Sequence, residues 1–159
     1  ITDPIVAVYE AGGIRIEFAI ENAGEGRLTW IAVTAELFLS RSVPKRSLLG
    51  PAPVVPARHP FKPPLRKGDR AAVDVSMAAS ELAVFLQDPG HHLADVLMDL
   101  CISHNNSQGA HLDGTIVPLP VCAGSIRLVT PEEYRRLPHY ERPERTADPA
   151  ADSGSPNWF

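Results

Sequence analysis

The chain has 159 residues, 44% of them hydrophobic and 21% charged, with 16 prolines and a formal charge of −4 at neutral pH. One domain accommodates that length. A proline share about twice the usual ~5% excludes a helical bundle or coiled coil, because each interior proline removes an amide donor and breaks the helix. No run reaches the ~18 apolar residues of a membrane-spanning helix. The net negative charge is not that of a basic nucleic-acid binder.

Ile1-Thr2-Asp3-Pro4 opens the chain without an initiator methionine, as expected of a removed signal peptide, a lost anchor or a shortened end. Residues 5–9 (IVAVY) are short, apolar and β-branched, and predict a strand. In the next segment Ile14, Ile16, Phe18 and Ile20 alternate with Arg15, Glu17, Ala19 and Glu21. That period of two places four large apolar side chains on one face and charges on the other, the pattern of a half-buried strand. Asn22-Ala23-Gly24-Glu25-Gly26 follows, with residues that accept the backbone of a tight reversal. Residues 28–39 carry Ile31, Val33, Ala35, Leu37 and Leu39 on one parity. Segments 14–22 and 28–39 are therefore expected to pair as a hairpin.

From Arg41 to Lys67 the alternation stops, and Pro44, Pro51, Pro53, Pro56, Pro60, Pro63 and Pro64 exclude a central strand or a helix. The segment is expected to be extended or turning. After Lys67-Gly68-Asp69, residues Ala71, Val73, Val75 and Met77 alternate with Ala72, Asp74 and Ser76, a further strand. Residues 78–87 are helix formers halted by Asp88-Pro89-Gly90, with Leu82, Phe85 and Leu86 on one face. Ala94, Val96, Met98, Leu100 and Ile102 share a parity and predict a strand, with residues 103–114 a polar loop. Pro118 and Pro120 confine residues 115–121 to an edge or bulge, and residues 125–129 form a last short strand. Thr130-Pro131-Glu132-Glu133 is a helix start with a capping box, and Pro138 ends that helix at Leu137.

About seven strands with short turns and little helix predict a mainly β protein, an antiparallel β-sandwich with one or two short helices over residues 1–137. The segment 41–70 is a proline-rich basic insertion in it. Residues 138–159 are polar, poor in large apolar side chains and expected to form a disordered tail, although it ends in Asn157-Trp158-Phe159. The corner Glu21-Asn22-Ala23-Gly24 and the lead-in Lys67-Gly68-Asp69 resemble those of immunoglobulin-like domains on bacterial extracytoplasmic proteins. The resemblance implies that sandwich fold. The two cysteines lie late in the chain with no tryptophan between them, a departure from the antibody pattern.

Cys101 and Cys122 are too far apart for a C-x-x-C pair. A hairpin centred near residue 111 would set them opposite one another, so a disulfide and two buried free thiols both fit. A bridge would indicate an oxidising, extracytoplasmic or periplasmic compartment; a cytoplasmic setting is the alternative.

Charge is distributed unevenly. Arg41, Lys45, Arg46, Arg58, Lys62, Arg66, Lys67 and Arg70 stand against one acid, Asp69, a net +7 that leaves the remainder of the chain at −11. Such a segment suits a partner's acidic patch or another anionic surface, or else folds back on the acidic body. Residues 58–66 look like a polyproline ligand, but Leu65 stands where the basic residue belongs. His91, His92, His104 and His111 flank Asp95 and Asp99 and are the candidate metal ligands, without the spacing of a helical ligand pair. Asp95 and Asp99, about 13 Å apart along a strand, are too distant for a glycosidase pair. No nucleophile elbow is present. Asn105-Asn106-Ser107 matches a glycosylation sequon.

These features favour a non-catalytic interaction or structural module without a cofactor. Its contacts would be the basic segment and the aromatics Trp158 and Phe159, meeting a protein partner, a larger assembly or an anionic surface. No sequence-specific nucleic-acid contact is expected. The competing readings are a metal-dependent hydrolase built on the His/Asp cluster, and a subunit of a virion or secretion assembly.

Overall fold

The computed structural model describes residues 1–137 except 3, 43, 45, 55–57, 106–108, 113–114 and 119. The expected tail, with Trp158 and Phe159, lies outside the described residues, as does Lys45. The described chain is mainly β, with ten strands and two short helices. The strands are β1 (Val6–Glu10), β2 (Gly13–Glu21), β3 (Leu28–Leu39), β4 (Ser47–Pro53), β5 (His59–Leu65), β6 (Arg70–Ala78), β7 (Val96–His104), β8 (Gly109–Leu112), β9 (Thr115–Pro118) and β10 (Val121–Val129). The helices are α1 (Ser80–Phe85) and α2 (Pro131–Arg136). Leu93–Asp95 forms a 3-10 turn ahead of β7.

One sheet runs in the order β4-β3-β7-β10-β1-β2-β6, with β5 also on β3, and β8 and β9 form a separate pair. The sheet is mixed. β1 lies parallel to β10 at Ala7↔Leu128 and Val8↔Val129, so a wholly antiparallel arrangement is incorrect. A first strand can reach a last one in this sense because it need not be joined to it by a tight turn.

The sheet curls so that its two limbs share one core. From β2 come Ile14, Ile16, Phe18 and Ile20; from β3, Ile31, Val33, Ala35 and Leu37; from β6, Val73 and Met77; from β7, Val96, Met98, Leu100 and Ile102. Leu82 of α1 is fully buried in the same cluster. Each strand thus buries the parity that its alternation marks.

β2 and β3 do not form a hairpin. β2 pairs with β1 and β6, whereas β3 pairs with β4, β5 and β7. The physical reason is the apolar face that each strand carries. Edge-to-edge pairing would set both apolar rows on one face and leave other strands to cover them, while facing each other across the core lets each row help bury the other, at roughly 25 cal/mol per Å². Residues 22–27 therefore arch from one limb to the other.

Asn22 holds that arch. It is the one buried polar residue among those described, at 5% exposure, and its backbone and side chain are both engaged. Its N–H donates to the Asp69 carbonyl at 3.0 Å and its carbonyl accepts from Gly68 N–H at 2.8 Å. Nδ2 donates to the carbonyls of Gly26 at 2.7 Å and Leu65 at 3.0 Å, and Oδ1 accepts from Gly24 N–H at 3.1 Å. The corner and the Lys67-Gly68-Asp69 turn are thus bonded to one another. Gly68 takes φ +83 to make that turn, a conformation that glycine reaches without a side-chain clash.

The proline-rich segment is more regular than its composition suggests. It contributes β4 and β5, both laid along β3 and both broken by register shifts. Pro51, Pro53, Pro60, Pro63 and Pro64 are tolerated because these strands lie at an edge, where a missing N–H interrupts no central ladder. The region expected as a polar loop likewise contains β8, paired with β9.

Cys101 and Cys122 face each other across β7 and β10 and are bridged, with Cα atoms 4.1 Å apart. Farther along, β10 bulges at Gly124 and Ser125. Asp99 Oδ1 accepts from Ser125 N–H at 2.9 Å, and a Cβ added at Gly124 would come within 3.2 Å of that oxygen. α2 begins as its sequence predicts. Thr130 Oγ1 accepts from Glu133 N–H, and Glu133 Oε2 accepts from Thr130 N–H.

Asn22→Ala deletes three side-chain hydrogen bonds and leaves two carbonyls without that donor, so it should lower stability by about 3 kcal/mol. A urea midpoint compared with that of the exposed Glu25→Ala variant checks this. Replacing both cysteines by alanine frees a cross-link spanning 21 positions, and the chain-entropy relation gives a loss of about 3 kcal/mol, read from the same titration.

Candidate functional site

The described cations of the basic segment are all exposed, and they divide into those that pair with an acid of the chain and those that do not. Arg41 Nε lies 3.4 Å from Asp95 Oδ1, Lys67 pairs with Glu25, and Arg70 Nε lies 3.4 Å from Glu21 Oε2. Arg46 donates its backbone N–H to Ser42 Oγ at 2.8 Å, as Arg66 does to Asp69 Oδ2 at 2.7 Å. The side chains of Arg46, Arg58, Lys62 and Arg66 make no ion pair among the described residues. Arg58, Lys62 and Arg66 recur every fourth position, just before, within and just after β5, while Phe61 turns into the core at 8% exposure.

β5 is positioned by its pairing with β3, in which Leu28 faces Leu65, Trp30 faces Pro60 and Ile31 faces His59. This register brings the Arg58 guanidinium 4.1 Å from the centre of the Trp30 ring. Cation–π contact at an exposed site is worth about 0.5–1 kcal/mol, enough to bias a long side chain toward one orientation. His59 packs edge-on against Phe61, ring centres 5.3 Å apart. Arg27, also exposed, precedes the residue facing Leu65 and extends the cationic border onto the start of β3.

Asn105 braces this corner from the end of β7. Its Oδ1 accepts from Thr29 N–H at 2.8 Å and from Trp30 N–H at 3.4 Å, and its Nδ2 donates to the Arg27 carbonyl at 2.8 Å. The amide that a glycosylation sequon would modify is therefore used to hold the backbone carrying Arg27 and Trp30. Neither of those residues stands out in the basic segment, being upstream of it. The available signal was Trp30 itself, a large aromatic on the outward parity of a half-buried strand.

The histidines and carboxylates of the candidate metal cluster are dispersed. His91 stacks on Phe85 with ring centres 3.9 Å apart, and its Nδ1 lies 3.0 Å from the Phe85 carbonyl at the end of α1. His92 is exposed in the turn before β7, and His104 ends β7 opposite Ile31. The backbone of His111 is in β8, and its side chain lies outside the described residues. Asp95 serves Arg41 and Asp99 serves the β10 bulge. Among the described residues no three His, Cys, Asp or Glu side chains stand close enough to hold a metal ion.

A second feature opens where the sheet curls. β1 meets β10 only at its two registered pairs, whereas the residues before β1 turn toward β2, Thr2 N–H donating to the Ala19 carbonyl at 3.1 Å. Between that lead-in and the first half of β10 lies an open groove of about 760 Å³, lined by Ile5, Val121, Ile126 and Leu137 among others. Val121 is 50% exposed and Leu137 37%. The groove is apolar, and the cationic corner is not part of its lining.

No family model matches the chain, and no curated protein sequence matches it.

Burial holds the His104 imidazole below its ordinary value of 6.5. As pH falls, the unfolded chain therefore takes up this proton before the folded one does. Stability from this source is complete above pH 6.5 and declines as pH drops below it. His104→Gln should remove that part of the acid sensitivity, seen as a smaller difference between urea midpoints taken near neutrality and near pH 5.

Proposed function

We propose that the chain is a non-catalytic, immunoglobulin-like binding module that contacts an acidic partner protein through the β3–β5 corner. The cations of that contact are Arg58, Lys62, Arg66 and Arg27, beside Trp30. The observation that carries this reading is the partition of the basic segment: Arg41, Lys67 and Arg70 each pair with an acid of the chain, while Arg58, Lys62 and Arg66, at every fourth position on and beside β5, are exposed and pair with none among the described residues. A planar guanidinium held over an aromatic ring is also a pre-ordered donor for a carboxylate.

The immunoglobulin-like reading draws support from the order of the limbs. β1, β2 and β6 form one limb and β3, β7 and β10 the other, the arrangement in which the second strand pairs with the fifth and the third with the sixth of a seven-strand sandwich, once β4 and β5, which both lie along β3, count together as the fourth strand and the β8–β9 pair is set aside. The disulfide lies within one limb rather than across the two. Such bonds persist in oxidising compartments, which supports an extracytoplasmic setting. No helix among the described residues is long and apolar enough to cross a membrane. In this reading Trp158 and Phe159 supply a second, apolar contact with a partner or within a larger assembly, and the groove beside Leu137 is a seat of suitable chemistry for them.

The test uses a polyglutamate peptide and the emission of Trp30 in a Trp158→Phe background, where Trp30 is the remaining tryptophan. Binding should weaken steadily as salt shortens the screening length from about 30 Å to about 3 Å. Joint replacement of Arg58, Lys62 and Arg66 by alanine should cost about tenfold or more in affinity. An affinity indifferent to salt, or unchanged in the triple variant, would contradict the assignment.

A further inference from the structure

The strand edges of this chain are protected unequally. β4 contains Gly50, Pro51 and Pro53, β5 contains Pro60, Pro63 and Pro64, and both lose register along β3. Prolines and irregularities of this kind stop an edge from acting as a template for another strand. β6, which ends the opposite limb, has none of them. Its nine residues follow β2 from Gly13↔Ala78 to Glu21↔Arg70 without a shift, and it contains neither proline nor glycine. Among the described residues no strand lies along its other side.

The backbone groups on that free side follow from the ladder. At its two ends Ala79 N–H donates to the Gly12 carbonyl and Asn22 N–H to the Asp69 carbonyl, both at 3.0 Å. In an antiparallel pair, hydrogen-bonded positions alternate with positions whose N–H and C=O point away. The odd-numbered residues of β6 are thus bonded to β2. Arg70, Ala72, Asp74, Ser76 and Ala78 turn their N–H and C=O groups outward, and all five residues are exposed.

The side chains on this edge narrow what can join it. Asp74 sits directly across from Glu17, and Glu17 is already bonded to Arg15 and to the Tyr134 hydroxyl. Asp74 has no cation of its own among the described residues. Like charges opposite one another destabilise a sheet, so a strand bringing a cation opposite Asp74 would relieve the site. The chain carries a cation at the required spacing: Arg70 is two outward positions away on the same edge, 51% exposed, and would bridge its own Glu21 and the Asp74 brought opposite it.

We propose that β6 pairs edge to edge with β6 of a second copy of this chain, antiparallel about a two-fold axis at Ala72. Arg70 of each copy then stands opposite Asp74 of the other, and Ala72 faces Ala72 without crowding. The three outward residues of each strand, Arg70, Ala72 and Asp74, exchange backbone hydrogen bonds and continue the β1-β2-β6 limb through the axis. A register centred on Asp74 would add bonded positions but set two Asp74 carboxylates together beside two Glu17 carboxylates. An edge contact of this size is small for a stable interface, so the association is weak and concentration-dependent.

Sedimentation equilibrium of the full chain should show a mass of 17.2 kDa when dilute, rising toward twice that with concentration. Asp74→Arg and Arg70→Asp should each remain monomeric alone at concentrations where the wild type dimerises, and a mixture of the two should dimerise, since each copy then supplies what the other lacks. Far-UV circular dichroism and melting curves establish that both variants are folded. Amide hydrogen exchange provides a readout without substitution: the amides of Ala72 and Asp74 should slow as wild-type concentration rises, and that of Ala78 should not. A wild-type chain monomeric at every concentration, a self-associating Asp74→Arg variant, a mixture of folded variants that stays monomeric, or protection extending to Ala78 would each overturn the proposal.

Discussion

The fold depends on two strands that are neighbours in sequence facing each other across the core instead of pairing. β2 and β3 each carry a row of large apolar side chains on one parity, and burying both rows requires residues 22–27 to arch between limbs. An arch places backbone polar groups beside the core, where leaving them unsatisfied costs about 1–3 kcal/mol each. Asn22 meets that requirement with its side chain, which bonds its own turn and the end of β5, and with its backbone, which bonds the turn that starts β6. The same residue therefore sets the direction of β3, the end of β5 and the register of β6. The cationic corner and the free edge both inherit their positions from it.

Much of this is written in the periodicity of the sequence, and the exceptions have physical causes. The alternation in 14–20 and in 94–102 marks the buried faces of β2 and β7, and the Thr130-Pro131-Glu132-Glu133 start of α2 is legible because capping is a local interaction. Pairing is not local. Nothing in the alternation of residues 14–39 says whether two apolar faces lie side by side or face to face, so a short connection reads as a hairpin when it is an arch. The cysteines could be placed opposite one another by symmetry about residue 111, yet whether they were bridged was open until β7 and β10 brought their Cα atoms to 4.1 Å. Proline misleads in another way: it excludes a central strand, and β4 and β5 are edge strands.

The candidate site was half legible. The count of cations in residues 41–70 singled out the segment, but the count cannot separate Arg41 and Lys67, which serve Asp95 and Glu25, from Arg58 and Lys62, which pair with no acid among the described residues. Trp30, Arg27 and Asn105 join the site only through the pairing of β3 with β5 and β7. Histidines and carboxylates close in sequence gave the opposite case, since His91 stacks on Phe85 and Asp99 holds a bulge, each drawn to a different structural task.

The arch is tested most directly by proton NMR contacts across β2. Non-hydrogen-bonded pairs in an antiparallel ladder bring their Hα atoms close together. Hα–Hα contacts are expected for Arg15 with Ser76, Glu17 with Asp74 and Ala19 with Ala72, pairs that are registered across β2 and β6, and none between β2 and β3. A ladder of such contacts joining β2 to β3 would contradict the arch.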